Sequence, residues 1–398
     1  MRDSETERKL GNEAYYLGKM DEALDYYTKA LDIDEKLKNS KGIATDLNSI
    51  GTVYWILGRF ERALEYSEKA LRTAQEVGDK RNESTSLGNL GNAYSDMSDV
   101  KKAIEFYEEA LRIAQEIGDK RNEGIWLGSL GSAYSDLGNV KKAIEFYEKA
   151  LWIAQEIGDK VNESTSLGNL GGAYCDLGNS RKAIAYYEKA LWITKNSGDR
   201  INEGIWLGNQ GNAYHTLGDV RKAIEFYEKA LWIAQEIGDR VNEGVSFGNL
   251  GNAYRDLGDV RKAIEFYEKA LWIAQEIGDK RNEGIWFGNL GNAYRDLGDI
   301  GEATEFYEKA LRITREIGDR RGEAKLLNIL GAVLEDANKY KEVLACFLLA
   351  KNIRSQIEDP ELKTTELNLR LFNFFWSTEI VLKLVSKTDY NKSNQTYI

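Results

Sequence analysis

The side chains able to do nucleophilic or metal chemistry are few and far apart. His215 is the single histidine, and Cys175 and Cys346 are the only cysteines. Zinc sites need Cys/His ligands at short spacing, and disulfide frameworks need several cysteines, so neither can be assembled. No nucleophile, base and orienting group can be gathered around His215, and no GxxxxGK[ST] phosphate loop occurs. The sequence therefore predicts a non-catalytic chain that needs no cofactor and no metal.

What the sequence does supply in quantity is hydrogen-bonding chemistry at a fixed interval. Asn89, Asn169, Asn209, Asn249 and Asn289 form one row, and Asn12, Asn92, Asn212, Asn252 and Asn292 a second. An amide both donates and accepts, so a row of them can pair with the main chain of an extended peptide whatever its side chains. Beside the first row stand Gly88, Gly128, Gly168, Gly208, Gly248 and Gly288, which predict a bare floor open to close approach. One turn beyond the second row the residue changes along the chain, from Ser95 and Ser135 through Cys175 and His215 to Arg255 and Arg295. Its neighbour stays acidic at Asp96, Asp136, Asp176, Asp256 and Asp296, with Thr216 the exception. Arg255 and Arg295 can anchor acidic groups of a ligand bidentately, or pair internally with an aspartate of the next helix. His215 reads as a solvated residue of the same face.

These rows exist because the whole chain repeats. Glycine recurs every 40 residues from Gly11 to Gly331, and alanine from Ala30 to Ala350, so nine units in register fill nearly the whole length. Each unit reads as two helices. In the third, Gly78 and Asp79 are the stop and start signals before a helix A over Lys80 to Met97, and helix B runs from Val100 to Ile117. Val100, Ala103, Ile104, Tyr107, Ala110, Leu111 and Ala114 follow the i, i+3, i+4, i+7 spacing of one apolar stripe. Gly138-Asn139 is a typical turn between helices, and Ser4 with Glu7 predicts a capping box for the first helix. Gly91 shares its face with Leu87, Leu90 and Tyr94, where a missing Cβ admits helix B. Mid-helix glycine costs about 1 kcal/mol against alanine, so its return in every unit implies a packing gain that offsets the cost. One hairpin cannot bury both faces, and stacking hairpins does. Thr85, Asn89, Asn92 and Asp96 then fall opposite the packed side of helix A.

The small residue at Gly91, with Tyr94, Ala103, Tyr107 and Ala110, resembles the tetratricopeptide repeat signature in type and spacing over residues 4–357. The unit is 40 residues rather than the commoner 34, without the usual closing proline, and looks most like the long repeats of LGN/Pins-class scaffolds. The resemblance implies an all-α, right-handed superhelix whose A helices line a concave groove for a protein or peptide partner. On that basis the expected peptide-binding residues are the asparagines at 89, 92, 169, 209, 212, 249, 252, 289 and 292, with Arg255, Arg295, Asp256 and Asp296. An alternative is the sensor or docking array of a signalling assembly whose ATPase part lies on another chain. The family's carboxylate clamp fits Arg8 and Asn12, but Ser49, Thr85 and Asn89 stand where its later members belong. The G-protein-binding motifs that follow LGN/Pins repeats are not found.

Composition bounds the partners. The net charge of −11 argues against a phosphate-backbone partner, so no nucleic acid is expected. No run of apolar residues is long enough for a membrane span or a signal peptide, which predicts a cytoplasmic chain and accidental sequons near Asn391 and Asn394. Trp152, Trp192, Trp232 and Trp272 share one place on helix B where other units carry Arg72, Arg112 and Arg312. Trp126, Trp206 and Trp286 alternate on helix A with Ser86, Ser166 and Ser246. Packing between repeats is the expectation for both sets, with a second contact surface the alternative for the first. Residues 358–398 predict a helical cap and a disordered tail. Asp359-Pro360 should open the cap helix, and the segment with the aromatic run Phe372, Phe374, Phe375 and Trp376 is expected to cover the last repeat, with a membrane-surface or self-association helix as the alternative.

Overall fold

The computed structural model describes residues 3–336 and 339–375, with side chains to Phe372. The expected Phe374, Phe375 and Trp376 side-chain contacts, the tail and both sequons lie outside the described residues. Every regular element among those residues is an α-helix. The A helices are α1 (Ser4–Tyr16), α3 (Ser40–Ile56), α5 (Lys80–Asp96), α7 (Lys120–Asp136), α9 (Lys160–Asp176), α11 (Arg200–Thr216), α13 (Arg240–Asp256), α15 (Lys280–Asp296) and α17 (Arg320–Asp336). The B helices are α2 (Met20–Leu37), α4 (Phe60–Val77), α6 (Val100–Glu116), α8 (Val140–Ile157), α10 (Ser180–Ser197), α12 (Val220–Ile237), α14 (Val260–Ile277), α16 (Ile300–Glu316) and α18 (Tyr340–Gln356), followed by α19 (Leu362–Phe375). They fall into two compact units, one up to Asn202 and one from Glu203.

Local chemistry sets the boundaries as expected. Asp79 caps α5 by accepting from the Asn82 N–H at 3.2 Å, and Gly78 ends α4 with φ 66°. Gly138 turns with φ 74° and Asn139 accepts from the Lys142 N–H at 3.3 Å. This step repeats with little variation, because glycine alone takes the left-handed conformation without strain and Asp or Asn satisfies the next helix's first free N–H groups.

Two boundary expectations fail. Asp3, not Ser4, caps α1: its carboxylate accepts from the Thr6 N–H at 2.7 Å. The Ser4 hydroxyl instead donates to Asp34 at 2.8 Å, and Glu7 is buried, so no Ser4–Glu7 box forms. Nor does Asp359-Pro360 open α19. Asp359 accepts from the Glu361 N–H at 2.8 Å in a turn, and the helix begins at Leu362.

The hairpins close as the small residues predict. An ideal Cβ on Gly91 would lie 2.5 Å from the Tyr107 ring, and Ala103 and Ala110 are fully buried against the same seam. Each hairpin is extended by an aromatic clasp at its turn, where Tyr94 stacks on Phe106 with centroids 5.4 Å apart and the Lys102 ammonium sits 3.9 Å from the Tyr94 centroid. The clasp recurs at Tyr134–Phe146 and Tyr174–Tyr186 in the first unit and at Tyr214–Phe226 and Tyr254–Phe266 in the second. At the far end α19 lies on α18, with the Phe372 ring edge-on to Phe347 and the Asn328 amide donating to Thr365 at 2.8 Å.

Candidate functional site on the A helices

The second asparagine row is held in one orientation by tyrosines from the B helices. Tyr27 donates to Asn12 Oδ1 at 2.7 Å, Tyr107 to Asn92 at 2.8 Å, Tyr227 to Asn212 at 2.8 Å, Tyr267 to Asn252 at 2.7 Å and Tyr307 to Asn292 at 2.8 Å. Where serine replaces asparagine, Tyr147 meets Ser132 at 3.1 Å. Burial pushes the phenols of Tyr27, Tyr107, Tyr227 and Tyr267 above the ordinary range and that of Tyr307 up to about 12. Each ring is thus a neutral donor near neutral pH, each amide oxygen its acceptor, and the amide NH₂ is the end turned away from the seam. The apolar stripe of helix B accounts for Tyr107 by packing alone and does not foretell this bond. The constant 15-residue spacing from asparagine to tyrosine was the available signal.

The first row is partly buried along its length. Asn89 Nδ2 lies 3.2 Å from Thr52 Oγ1 and 3.4 Å from the Asn48 carbonyl, and Asn289 Nδ2 lies 3.4 Å from Asn252 Oδ1. The two rows therefore touch at Asn289 and Asn252, on neighbouring A helices. Asn169, Asn209 and Asn249 occupy the matching places on α9, α11 and α13.

A third set of contacts joins residue x on one A helix to the aspartate at x+41 on the next. Arg255 Nε donates to Asp296 Oδ2 at 2.6 Å, and the Trp55 indole donates to Asp96. His215 Nε2 lies 2.9 Å from Asp256 Oδ2 but off the N–H direction, so the two are in contact without a well-formed hydrogen bond. His215 is thereby not a solvated residue: its ring is largely buried beside a carboxylate. Arg255 realises the internal pairing, leaving its terminal guanidinium nitrogens for any ligand. Ser95 holds the corresponding place one repeat before Asp136, and burial, then the Asp96 charge, raises the Asp136 carboxyl. Arg295 is partly buried and Asp256 and Asp296 are exposed on the same face.

The glycine floor is not bare throughout. A Cβ on Gly88 would lie 2.0 Å from the Trp126 indole and one on Gly248 2.0 Å from Trp286, so these two glycines are sockets for the next A helix's tryptophan. The Trp126 indole donates to Ser84 at 3.0 Å and stacks on Tyr107. Gly128 has nothing within 4 Å, and Gly208 meets Ala230 only at 3.9 Å. The floor is open where serine, at Ser166 and Ser246, replaces tryptophan one repeat on. At the start of the chain the same joint is polar. Arg8 Nε donates to Asp46 at 2.5 Å and a second guanidinium nitrogen reaches Asp34, so Arg8 serves an internal network. One repeat later Ser86 donates to Asn48 at 2.9 Å.

Trp126, Trp206 and Trp286 are buried, as expected for packing residues. Trp152, Trp192, Trp232 and Trp272 are not: they are 60%, 67%, 60% and 60% exposed, because their place on helix B faces away from the seam with helix A. Among the described residues no cluster of three or more His, Cys, Asp or Glu could hold a metal ion, and no helix is long and apolar enough to cross a membrane.

Comparison with known proteins agrees with this geometry. The chain is similar in fold to BtubC from P. vanneervenii, at 24% identity and TM-score 0.50, over 55% of this chain and 92% of that one. It is similar to the apo quorum sensor NprR from B. thuringiensis, at 17% identity and TM-score 0.60, over 83% and 97%. It is also similar to a Rap protein complexed with Competence and Sporulation Factor, at 16% identity and TM-score 0.59, over 89% and 99%. The search of curated proteins returned no match. The tetratricopeptide repeat model matches residues 3–76, 42–116, 121–196, 202–276 and 282–356, each span about two hairpins long, and the chain belongs to the tetratricopeptide repeat family.

Proposed function

We propose that the chain is a non-catalytic interaction scaffold whose A-helix face takes an extended or helical peptide segment of a partner protein. The observation that carries this reading is the tyrosine lock on Asn92, Asn212, Asn252 and Asn292. Four amides at multiples of 40 residues present the NH₂ end outward, which suits peptide carbonyls and is independent of the partner's side chains. Asn89 and Asn169 in the first unit, and Asn209, Asn249 and Asn289 in the second, give each unit further amides for contact. Selectivity comes from the x to x+41 positions. Arg255 with Asp296 offers a carboxylate the remaining guanidinium N–H groups, while Arg295 and Asp256 set the charge on either side. The fold relative solved with Competence and Sporulation Factor supports a ligand-holding role for this architecture.

The test replaces Asn209, Asn249 and Asn289 together by Ala and compares affinity capture of partners from native lysate with thermal melting. Lost capture with a retained melting transition supports the groove. Unchanged capture removes the asparagine line from it.

A further inference from the structure

On α5, α7 and α9, the A helices at the centre of the first unit, every charged side chain but one per helix is already paired. Lys80, Lys120 and Lys160 meet Glu83, Glu123 and Glu163 at 2.8, 2.9 and 2.6 Å. Arg81 and Arg121 meet Asp119 and Asp159 at 2.8 and 3.4 Å. The charge left over is the last residue of each helix, Asp96, Asp136 or Asp176. All three are exposed, and none has an ion-pair partner among the described residues. Lys102, Lys142 and Lys182, from the adjoining turns, lie instead over the rings of Tyr94, Tyr134 and Tyr174 at 3.9, 3.8 and 3.9 Å.

Helix stability does not account for these carboxylates. The C-terminal end of a helix is the negative end of its dipole, so a cation is favoured there and an anion is not. Nor do they neutralise a neighbour. Ser95 precedes Asp136 and Ser135 precedes Asp176 by one repeat, and Asp96 accepts only the neutral indole N–H of Trp55. In the second unit the serine places hold Arg255 and Arg295. The buried phenols register this contrast. Burial, then Asp96 and Asp136, hold the Tyr107 phenol up, and burial, then Asp136 and Asp176, do the same for Tyr147. Burial also raises Tyr307, but Arg295 and Arg255 draw it back.

Spacing narrows the ligand further. Trp126 of α7 rests on Gly88 of α5, and helices packed in this way have axes about 8–10 Å apart. A polyproline II segment returns to one face every third residue, about 9.3 Å along its axis, and its carbonyls have no internal partner. In a β-strand, residues three apart point to opposite faces.

Resting on the groove reading above, we infer that the first unit's A face takes a basic segment of the partner in polyproline II conformation. Lys or Arg at every third residue meets Asp96, Asp136 and Asp176 in turn, while a main-chain carbonyl accepts from the Asn92 amide that Tyr107 holds in place.

The experiment is fluorescence anisotropy of the full chain with three labelled peptides of equal length. One consists of Lys-Pro-Pro triplets, one has the same composition with its lysines gathered together, and one consists of Glu-Pro-Pro triplets. Lys-Pro-Pro is expected to bind most tightly, and less tightly as salt is added. Combining Asp96→Asn, Asp136→Asn and Asp176→Asn should weaken it about tenfold or more, as loss of three exposed ion pairs implies. Glu105→Gln with Glu145→Gln, on exposed B-helix positions of the same unit, should leave it unchanged. Far-ultraviolet melting identifies unfolding. If the triple variant unfolds, Ser95→Arg with Ser135→Arg decides in its place, because each arginine pairs one aspartate internally as Arg255 does Asp296 and should weaken the peptide likewise. Equal binding of all three peptides overturns the inference, as does equal binding of the two lysine peptides or binding that survives both sets of substitutions. The capture test on Asn209, Asn249 and Asn289 concerns the second unit, so the groove reading can stand when this inference falls.

Discussion

The indole of Trp126 rests directly on the backbone of Gly88, 38 residues earlier, closely enough that an ideal Cβ there would lie 2.0 Å from the ring. One repeat on, Gly128 likewise follows a leucine, Leu127, in its helix and has nothing within 4 Å. Gly88→Ala should therefore cost about 1–3 kcal/mol through overpacking, whereas Gly128→Ala should gain up to about 1 kcal/mol from helix propensity. Paired thermal melts of the two variants check this, and equal shifts would remove the socket.

Gln210 stands where the other A helices have Leu90, Leu130, Leu170, Leu250 and Leu290. It is 2% exposed, and its side-chain oxygen lacks a hydrogen-bond partner. A buried acceptor left unpaired costs about 1–3 kcal/mol. Gln210→Leu is expected to stabilise the chain by a similar amount, read as a higher denaturant midpoint at unchanged slope.

The Arg8 network predicts a pH response with a definite sign. Burial pushes the Asp46 carboxyl up to about 6 against the opposing pull of Arg8, from 3.8 unfolded. The native state therefore binds the proton more tightly, so this contribution is full below about pH 4 and is lost as pH rises through about 6. At its limit the contribution is about 3 kcal/mol. Melting temperature measured between pH 5 and 7 should fall more steeply with rising pH for the wild type than for Asp46→Asn. Parallel profiles would exclude Asp46 as the source.

The Arg255–Asp296 bond spans two A helices but is a partly exposed pair, with side chains 30% and 32% exposed. Its coupling in a double-mutant cycle should be below about 1 kcal/mol and should shrink as salt is added. A coupling of several kcal/mol would mean that the pair, and not the hydrophobic seam, holds α13 to α15.

Sequence alone reached what local chemistry decides. Gly78 and Asp79 mark the end of α4 and the start of α5 because a left-handed residue and a capping carboxylate act within four positions. Gly91 was legible as a close approach because its partner Tyr107 lies in the same hairpin. The fates of Gly88 and Gly128 were not, since the deciding residue, Trp126 or Ser166, lies on the next A helix. The same holds for Ser4, whose hydroxyl goes to Asp34 thirty residues away instead of to its own helix. For the helix B tryptophans, residue type suggested the core, while position on the helix put them in water.

The junctions at Gly158-Asp159, Gly238-Asp239 and Gly278-Asp279 share the backbone step of Gly78-Asp79: a left-handed glycine followed by a residue that caps the next helix. A B helix that ends in this step can thus be followed by any A helix that begins with it, without a new turn having to be invented. Exchange between near-identical copies of such a coding sequence yields chains that differ in the number of hairpins and keep their caps. Gain or loss of two hairpins also preserves the Ser–Trp alternation that decides which floors are open, whereas gain or loss of one shifts it. Array length is thereby a trait that inheritance can change in a single step, ahead of any side chain.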